Sequence, residues 1–269
     1  MGFTDIHCHF LPGIDDGPRD WEGTLAMARL AVAEGIDTVI ATPHQLGRFH
    51  ANTASCIRSL AHEAQLRLDL AQIPLTILPG ADVRIRDDLF ELVDRRNVLT
   101  LGDHFAHLLL EIPPELSLSL GTLINRFRRQ GIVCILTHPE RNHSSDQSLD
   151  FVRRWVEQGG LVQITAGSVT RQFGSLAQKV ALDLVRENLV HLVATDAHDT
   201  SRRPPFLREA FAAVERLAGA EVAHSVFISN PRAIAQGCHI EPAAPAAPVR
   251  QALAGWYKRA ATRFGRASG

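Results

Sequence analysis

The sequence lacks the charge excess and the long apolar run that would mark several protein classes. It carries 28 Lys+Arg against 29 Asp+Glu, with a formal net charge of -1. This balance argues against a general nucleic-acid or membrane-surface binder. No apolar run is long enough to span a bilayer, and the residues before Asp5 lack the basic and apolar regions of a signal peptide. We therefore expect no nucleic-acid partner and no membrane insertion.

Cysteine is sparse and unpaired in the sequence. Cys8, Cys56, Cys134 and Cys238 are widely scattered, and no two of them form a C-x-x-C motif. Such spacing is typical of a reduced cytoplasmic protein and not of a disulfide scaffold, so we expect a cytoplasmic location. The C-x5-R signature of cysteine phosphatases is also absent, because six residues separate Cys134 from Arg141.

What the sequence does have is a regular alternation of short apolar runs and amphipathic segments. With 269 residues and 45% hydrophobic residues, it can bury a sizeable core. The alternation predicts parallel strands and an α/β barrel-like fold. The predicted strands are 3–7, 38–42, 75–83, 107–112, 133–137, 161–165 and 189–195. The predicted helices are 20–35, 53–70, 86–95, 118–131, 146–159, 175–188, 206–218 and 231–236.

Near the C-terminus the composition changes abruptly. Residues 241–248 read EPAAPAAP, and proline at that density cannot continue a helix or a sheet. We therefore predict a domain over 1–240 and a Pro/Ala-rich linker and tail over 241–269. The aromatic and basic residues of 249–269 are compatible with a short docking helix or with a poorly ordered terminus.

Histidine is the compositional oddity, with thirteen residues. His7 and His9 lie one residue apart at the end of the first predicted strand, so their side chains point to the same face and that of Cys8 to the other. Asp15 and Asp16 follow in a glycine- and proline-rich loop. Two imidazoles beside carboxylates suit a divalent metal ion, with Asp16 the favoured ligand and Asp15 the local alternative. Taken alone, the histidine pair is equally compatible with an ordinary surface or core pair.

The other strand ends change that balance. Six of the seven predicted strands end beside a His, Asp or Glu that neighbours apolar residues. Each of these residues has an ordinary structural explanation when taken singly. Together they do not, because the strand ends of a barrel converge on one point and buried charges need partners or metal. The candidate ligands are His7, His9, Asp16, His44, Asp82, Glu111, His138, Asp196 and His198.

Nine such ligands are too many for one ion and suit two or three ions. Multi-metal sites of this kind typically catalyse hydrolytic phosphoryl chemistry. Arg141 and Arg203 lie next to candidate ligands, and guanidinium groups bind phosphate oxygens through paired N–H groups. The alternatives are a surface salt bridge for Arg141 and a solvated loop for Arg203. The mixed ligand set is compatible with Mn, Fe, Zn or Mg.

At this point the motifs resemble those of a known family. Over residues 3 to about 240 the chain resembles the PHP (polymerase and histidinol phosphatase) superfamily, and within it the CpsB/CapC/YwqE-type manganese-dependent protein tyrosine phosphatases. The opening motif and the HPERN block are specific to this branch. The matching segments are DIHCHFLPGIDDGP (5–18), ATPH (41–44), LPGADVRI (78–85), LLEIP (109–113), THPERN (137–142) and TDAHDTSRRPP (195–205).

The resemblance implies a distorted (β/α)7 TIM-like barrel with a three-metal site at the C-terminal strand ends, manganese being the expected ion. Arg141 and Arg203 match the family's phosphate-binding arginines. The family usually has glutamate at the bridging position, where this chain has Asp82, one methylene shorter. By position, His7, His9 and Asp196 would hold the first ion, Glu111 and His138 the second, and Asp16, His44 and His198 the third, with Asp82 bridging the first two.

The implied activity is hydrolysis of a phosphomonoester. The resemblance points to the phosphotyrosine-bearing tail of a bacterial tyrosine kinase that controls capsule or exopolysaccharide export. Two alternatives stay open at the level of the sequence. One is a phosphatase of the same superfamily acting on a small molecule such as histidinol phosphate or a nucleotide. The other is a non-catalytic binding module on a degenerate barrel, which the full set of candidate ligands argues against.

Overall fold

The computed structural model describes residues 2–113, 120–141 and 149–240, and within them a parallel sheet flanked by helices. The predicted linker and tail at 241–269, and Asn142 of the HPERN block, lie outside the described residues. The strands are β1 Phe3–Cys8, β2 Ile36–Ala41, β3 His44–Gln45, β4 Thr76–Pro79, β5 Asp82–Arg84, β6 His107–Glu111, β7 Val133–Thr137, β8 Leu161–Thr165 and β9 Leu192–Ala194.

The helices alternate with the strands, as the sequence pattern predicts. Short turns of helix at Leu101–Asp103, Pro139–Arg141 and Ser225–Ser229 complete the described elements. The α-helices are α1 Trp21–Ala33, α2 Ala54–Leu70, α3 Leu89–Asp94, α4 Leu120–Arg128, α5 Leu149–Glu157, α6 Ala166–Val169, α7 Gly174–Arg186, α8 Arg208–Ala218, α9 Ala220–His224 and α10 Asn230–Ala235.

All strand pairs are parallel, and the sheet curls so that its last strand approaches its first. The strand order is β1-β2-β4 in one part and β3-β5-β6-β7-β8-β9 in the other. Beyond β9, the N–H of Asp196 donates to the carbonyl of His7 at 2.8 Å, and the N–H of His9 donates to the carbonyl of Ala197 at 2.9 Å. The C-terminal ends of the strands therefore face a common centre.

One predicted strand is wrong as a single element. The run 75–83 forms two strands, β4 and β5, separated by Gly80 and Ala81. Pro79 has no N–H to give to a ladder. Gly80 packs so closely on β2 that a Cβ there would lie 2.7 Å from Cγ2 of Ile40. The chain therefore shifts from a pairing with β2 to a pairing with β3, which moves Asp82 into the centre.

Burial in the core explains the strands that form where predicted, whereas the predicted strand 189–195 is shortened to β9 and no predicted strand corresponds to β3. Strands β7 and β8 have the predicted bounds, and their apolar side chains are buried on both faces, as expected of a parallel sheet between helices. The predicted start of α1 at Asp20 is also confirmed, since its Oδ1 accepts from the N–H of Gly23 at 2.9 Å. In the described ranges, no helix combines the length and the apolar character needed to cross a membrane.

The sheet buries a histidine at the opposite end of β6 from the strand end that carries Glu111, and this residue gives a pH prediction. His107 is fully buried, and burial, together with His239 and His104 nearby, lowers its pKa to about 4 from 6.5. Below pH 6.5 the imidazole of His107 is protonated in the unfolded chain, whereas in the folded chain it stays neutral until about pH 4. Stability therefore falls by roughly 1.4 kcal/mol per pH unit in that window.

We expect His107→Leu to remove this contribution. Between about pH 7 and about pH 5, the variant should lose roughly 2 kcal/mol less unfolding free energy than the wild type, measured by urea denaturation of the metal-free protein. His62→Gln, on the exposed face of α2, is the matched control and should behave like the wild type. An unchanged pH dependence in His107→Leu would contradict the assignment.

Candidate metal centre

Eight of the nine predicted ligands lie close together near the strand ends. Seven of them belong to clusters of ligand atoms, and Asp196 is in ion-pair contact with members of these clusters. Three groups place their ligand atoms within 4.8 Å of one another. They share members, so they form one continuous centre and not three separate sites. The groups are His9, Asp16, His44 and His198; His7, His9 and Asp82; and His44, Asp82 and Glu111.

Asp196 lies between two of the predicted histidine ligands and both predicted arginines. Its Oδ1 lies 3.3 Å from Nε2 of His7 and 3.4 Å from Nε2 of His9. Its Oδ2 pairs with Arg141 and, at 2.5 Å, with Nη2 of Arg203. Burial opposes ionisation, but these cationic and imidazole neighbours hold the pKa of Asp196 well below its usual range. The residue is therefore a carboxylate that joins the histidines to both predicted phosphate-binding arginines.

Three histidines are oriented by hydrogen bonds at Nδ1. The Nδ1 atom of His7 lies 2.9 Å from Oε1 of Gln163, that of His9 lies 2.7 Å from Oδ2 of Asp15, and that of His198 lies 2.9 Å from the carbonyl of Asp196. In each ring, Nε2 is left to face the centre. A metal-binding histidine typically has its other nitrogen held in this way.

The loop after β1 gives its two aspartates different positions. Asp15 contacts His9 and also accepts from the N–H of His44 at 3.0 Å. Asp16 instead reaches towards Nε2 of His198 at 3.4 Å and Nε2 of His44 at 3.5 Å. The favoured candidate, Asp16, thus lies among the predicted ligand atoms, whereas Asp15 binds Nδ1 of His9 and the backbone N–H of His44.

Asp82 and Glu111 lie on the neighbouring strands β5 and β6. Oδ2 of Asp82 is 3.1 Å from Nδ1 of His44 and 3.9 Å from Nε2 of His7. Burial opposes its charge, yet the adjacent imidazoles of His44 and His7 hold the pKa of Asp82 below its usual range. Burial, with Asp82 next to it, raises the pKa of Glu111. A second carboxylate beside a buried carboxylate is an unfavourable arrangement for the chain alone and a favourable one around a cation.

His138 lies at the edge of the centre. Its ring stacks on that of His7 with centroids 5.8 Å apart, and it is outside the three ligand groups formed by the described residues. Its backbone has φ +33°, in the left-handed region. Burial lowers the pKa of His138 to about 3, so the ring is neutral at physiological pH. A neutral imidazole is the form that binds a metal.

Buried nitrogen and oxygen atoms without hydrogen-bond partners indicate whether this centre suits metal ions. Nε2 of His7, His9 and His198 and Oδ2 of Asp82 are all buried and have no hydrogen-bond partner among the described residues. Buried polar atoms are almost always satisfied, because an unpaired one costs roughly 1–3 kcal/mol. Four such atoms converging from three strand ends fit divalent cations, for which imidazole nitrogen and carboxylate oxygen are suitable ligands.

Two residues that the sequence did not single out hold the arginines in place. The ring of Phe173 packs against both guanidinium groups, 4.3 Å from that of Arg141 and 5.8 Å from that of Arg203. Glu140 is buried, and its Oε1 accepts from the N–H of Thr165 at 2.9 Å and from Oγ of Ser168 at 2.8 Å. Glu140 thereby fixes the turn that carries Arg141. Its place inside the HPERN block is the one sequence signal that pointed to it.

Comparison with known proteins adds independent information. The family described as "Capsular polysaccharide synthesis, CpsB/CapC" matches residues 3–236. The tyrosine-protein phosphatase YwqE of Bacillus subtilis (strain 168) is 36% identical over 219 residues, which is 81% of this chain and 86% of YwqE. The tyrosine-protein phosphatase CpsB of Streptococcus pneumoniae is 27% identical over 237 residues, 86% of this chain and 97% of CpsB.

A solved structure agrees with the sequence matches. It comes from crystal structures of YwqE from Bacillus subtilis and CpsB from Streptococcus pneumoniae, described as unique metal-dependent tyrosine phosphatases. The superposition has a TM-score of 0.86 at 33% sequence identity, and it covers 90% of this chain and 98% of the other. At this identity and coverage, the two chains share the whole fold that surrounds the strand ends.

The position of Asp15 gives a prediction about metal affinity. Asp15→Ala removes the acceptor that orients His9, so we expect divalent metal to bind about 10–100-fold more weakly, as is typical when a ligand loses its supporting carboxylate. Isothermal titration with Mn²⁺ would measure the change, with thermal unfolding to verify the fold. Asp183→Ala, which removes a carboxylate that pairs with Lys179 on α7, is the control. Wild-type affinity in Asp15→Ala would show that His9 does not need this support.

Proposed function

The chain belongs to the CpsB/CapC family, and from that membership we propose that it is a metal-dependent protein tyrosine phosphatase that hydrolyses phosphomonoesters at the strand-end centre. One observation carries the proposal. Asp196 joins the unpaired histidine nitrogens to Arg141 and Arg203 through its two carboxylate oxygens. A cation site and a phosphate site therefore share one wall, as the hydrolysis of a phosphate ester requires.

The proposed metal ligands are the nine predicted from the sequence. Three ions are proposed, with manganese first and iron, zinc or magnesium as alternatives. Bound divalent ions would lower the pKa of water towards neutrality and withdraw charge from the phosphoryl group. Asp16, His44 and His198 share a cluster with His9, which supports them as one ligand set. Asp82 is common to the cluster that contains His7 and the cluster that contains Glu111, which supports it as a bridging ligand.

The arginines supply the charge that a phosphoryl group needs. Arg141 and Arg203 converge on one carboxylate oxygen, and each retains further N–H donors for phosphate oxygens. Both side chains are about a quarter exposed, so a ligand can reach them. Phe173 restricts their movement by packing against both. We infer that the arginines bind the phosphoryl oxygens and that Phe173 positions them.

A cysteine nucleophile is not part of this proposal. Cys134 is buried within β7, and burial raises the pKa of its thiol well above the usual value. Cys8 is also buried, its pKa is raised by burial, and its Sγ faces the carbonyl of Ala197 at 3.8 Å and not the metal centre. A thiol in such surroundings is not ionised near neutral pH, and the thiolate is the nucleophilic form.

The finer features of the family are proposed on the same basis. If β2 with β3 and β4 with β5 are each counted as one interrupted strand, the curled sheet has the seven units of a distorted (β/α)7 barrel. Its substrate is proposed to be the phosphotyrosine-bearing tail of a bacterial tyrosine kinase that regulates capsule or exopolysaccharide synthesis. The scattered free cysteines favour a cytoplasmic enzyme. The division into a domain over 1–240 and a linker and tail over 241–269 stays a prediction.

The metal dependence can be tested with a phosphotyrosine peptide. We expect EDTA to abolish turnover and Mn²⁺ to restore it, with Zn²⁺ as a second metal for comparison. His138→Ala and Arg141→Ala should each lower kcat/KM by about 100-fold or more, as loss of a group that stabilises the transition state typically does. Cys134→Ser, with its fold verified by circular dichroism, should retain activity. A chelator-resistant activity that is lost in Cys134→Ser would refute the metal mechanism.

Substrate class is tested separately. Phosphotyrosine peptides and histidinol phosphate are compared as substrates of the Mn²⁺-loaded enzyme. We expect the peptides to have the higher kcat/KM, because the described residues form open cavities of about 390 and 490 Å³ beside the centre, one at His44 and Glu111 and the other at Asp16 and His198. Turnover of histidinol phosphate alone would favour the small-molecule phosphatase instead.

A further inference from the structure

A cavity of about 390 Å³ adjoins the metal centre on the side of β3 and β6. Two of its lining residues, His44 and Glu111, are proposed metal ligands, so the cavity opens directly onto the centre. Its outer wall carries two arginines, Arg48 and Arg84. Neither was a candidate in the sequence, and neither is used in the hydrolysis proposed above. The volume falls within the range of roughly 300–1,000 Å³ that is usual for small ligand sites.

The charge of this cavity is unbalanced. Nη1 of Arg84 lies 3.5 Å from Oε2 of Glu111, and Nη2 of Arg48 lies 4.0 Å from Oδ2 of Asp16. Both carboxylates are proposed metal ligands, so bound cations would take up their negative charge. The two guanidinium groups, with side chains 42% and 75% exposed, would then face the cavity without a compensating acid among the described residues that line it.

The wall that carries Arg48 is held in a fixed shape. Asn52 donates from Nδ2 to the carbonyls of His44 at 2.8 Å and Ile14 at 2.9 Å. Gln45, which is buried, donates from Nε2 to the carbonyls of Asn52 at 3.0 Å and Asn97 at 2.9 Å. Buried side chains that satisfy several backbone carbonyls fix a loop more firmly than exposed contacts do.

Within this loop, Phe49 and Gly47 give the wall its shape. The ring of Phe49 stacks on His44 with centroids 5.1 Å apart and planes 17° apart, and the guanidinium of Arg48 lies 4.7 Å from the ring centroid. Gly47 has φ +57°, and a Cβ there would lie 2.8 Å from Cδ of Arg84. The loop therefore packs directly on Arg84 and brings both arginines to one side of the cavity.

The cavity on the other side of the centre is different. It has about 490 Å³ and is lined by Arg19 and Arg202, but also by Asp20 and Asp199. Nε of Arg202 lies 3.7 Å from Oδ2 of Asp199, and the backbone N–H of Arg202 also donates to this carboxylate. Its arginines thus have acids beside them that are not proposed metal ligands. Of these two cavities, as the described residues line them, the one with Arg48 and Arg84 carries the excess of positive charge.

From this asymmetry we propose that the cavity lined by Arg48 and Arg84 binds an acidic side chain that flanks the phosphotyrosine of the substrate. This inference rests on the proposed function and adds a sequence preference to it. The phosphoryl group itself has its own arginines at Asp196, outside this cavity. A peptide bound with its phosphotyrosine at the centre passes over the cavity wall, where a neighbouring glutamate or aspartate can reach both guanidinium groups.

The test compares phosphotyrosine peptides that differ only in flanking charge. One peptide has glutamate on both sides of the phosphotyrosine, and the other has lysine at the same positions. For the Mn²⁺-loaded wild type, we expect the ratio of kcat/KM values to favour the glutamate peptide by about fivefold or more, the effect of one exposed ion pair at the upper end of its usual range. The ratio should fall as salt is raised, because exposed charges are screened.

Arg48→Glu is the decisive variant. Its ratio should fall to about one or invert, and since both peptides meet the same metal centre, the ratio cancels any effect of the substitution on catalysis itself. Arg202→Glu makes the same charge change in the opposite cavity and should keep the wild-type ratio. A wild-type ratio near one, or a ratio unchanged in Arg48→Glu, would overturn the proposal.

Failure of this inference can be told apart from failure of the proposed function. Metal-dependent turnover of either peptide without a charge preference would leave the phosphatase assignment intact and refute the subsite. If neither peptide is turned over, the charge preference can still be measured by binding. The same two sequences are made with phosphonomethyl-phenylalanine in place of phosphotyrosine, and fluorescence anisotropy gives their affinities. Equal affinities in that measurement would refute the subsite, and tighter binding of the glutamate peptide that is lost in Arg48→Glu would support it.

Discussion

The rest of the centre depends on the buried carboxylate of Asp196. Its two oxygens have different neighbours, since Oδ1 faces the Nε2 atoms of His7 and His9 and Oδ2 faces Arg141 and Arg203. A buried carboxylate is costly unless charged partners surround it. Here those partners are the same groups that a phosphate-ester hydrolase needs on its two sides. Removing this carboxylate would leave two cationic side chains and two imidazoles without the acid that brings them together.

Backbone contacts fix the position of Asp196 independently of its side-chain contacts. Its N–H donates to the carbonyl of His7, and the residue adopts φ +52°, a left-handed conformation that aspartate tolerates better than most residues. The preceding Thr195 is fixed by Asp5, which accepts from the N–H of Thr195 at 3.0 Å and from its hydroxyl. The closure between the first and last strands and the geometry of the centre therefore rest on one set of hydrogen bonds.

The sequence predicts the strands that are continuous apolar runs, but it does not predict the features that depend on tertiary packing. β7 was predicted at Val133–Thr137 because a buried parallel strand is a continuous apolar run. The Pro79-Gly80 pair is a local signal for the break between β4 and β5, but the close approach of Gly80 to Ile40 depends on tertiary packing. Phe173 and Arg48 were missed for the same reason. An aromatic or basic residue in a loop has no periodicity, and its partner across the centre comes from a distant part of the chain.

The short bridging candidate, Asp82, shows how the backbone can compensate for a side chain. Pro79 and Gly80 end the pairing with β2, after which Asp82 pairs with His44 in register, and its N–H donates to the carbonyl of Pro43 at 3.2 Å. The register, and not the side chain, thus sets how far the carboxylate must reach. Oδ2 lies 3.1 Å from Nδ1 of His44 and 3.9 Å from Nε2 of His7, so this aspartate contacts both sides of the centre although its side chain is one methylene shorter than glutamate.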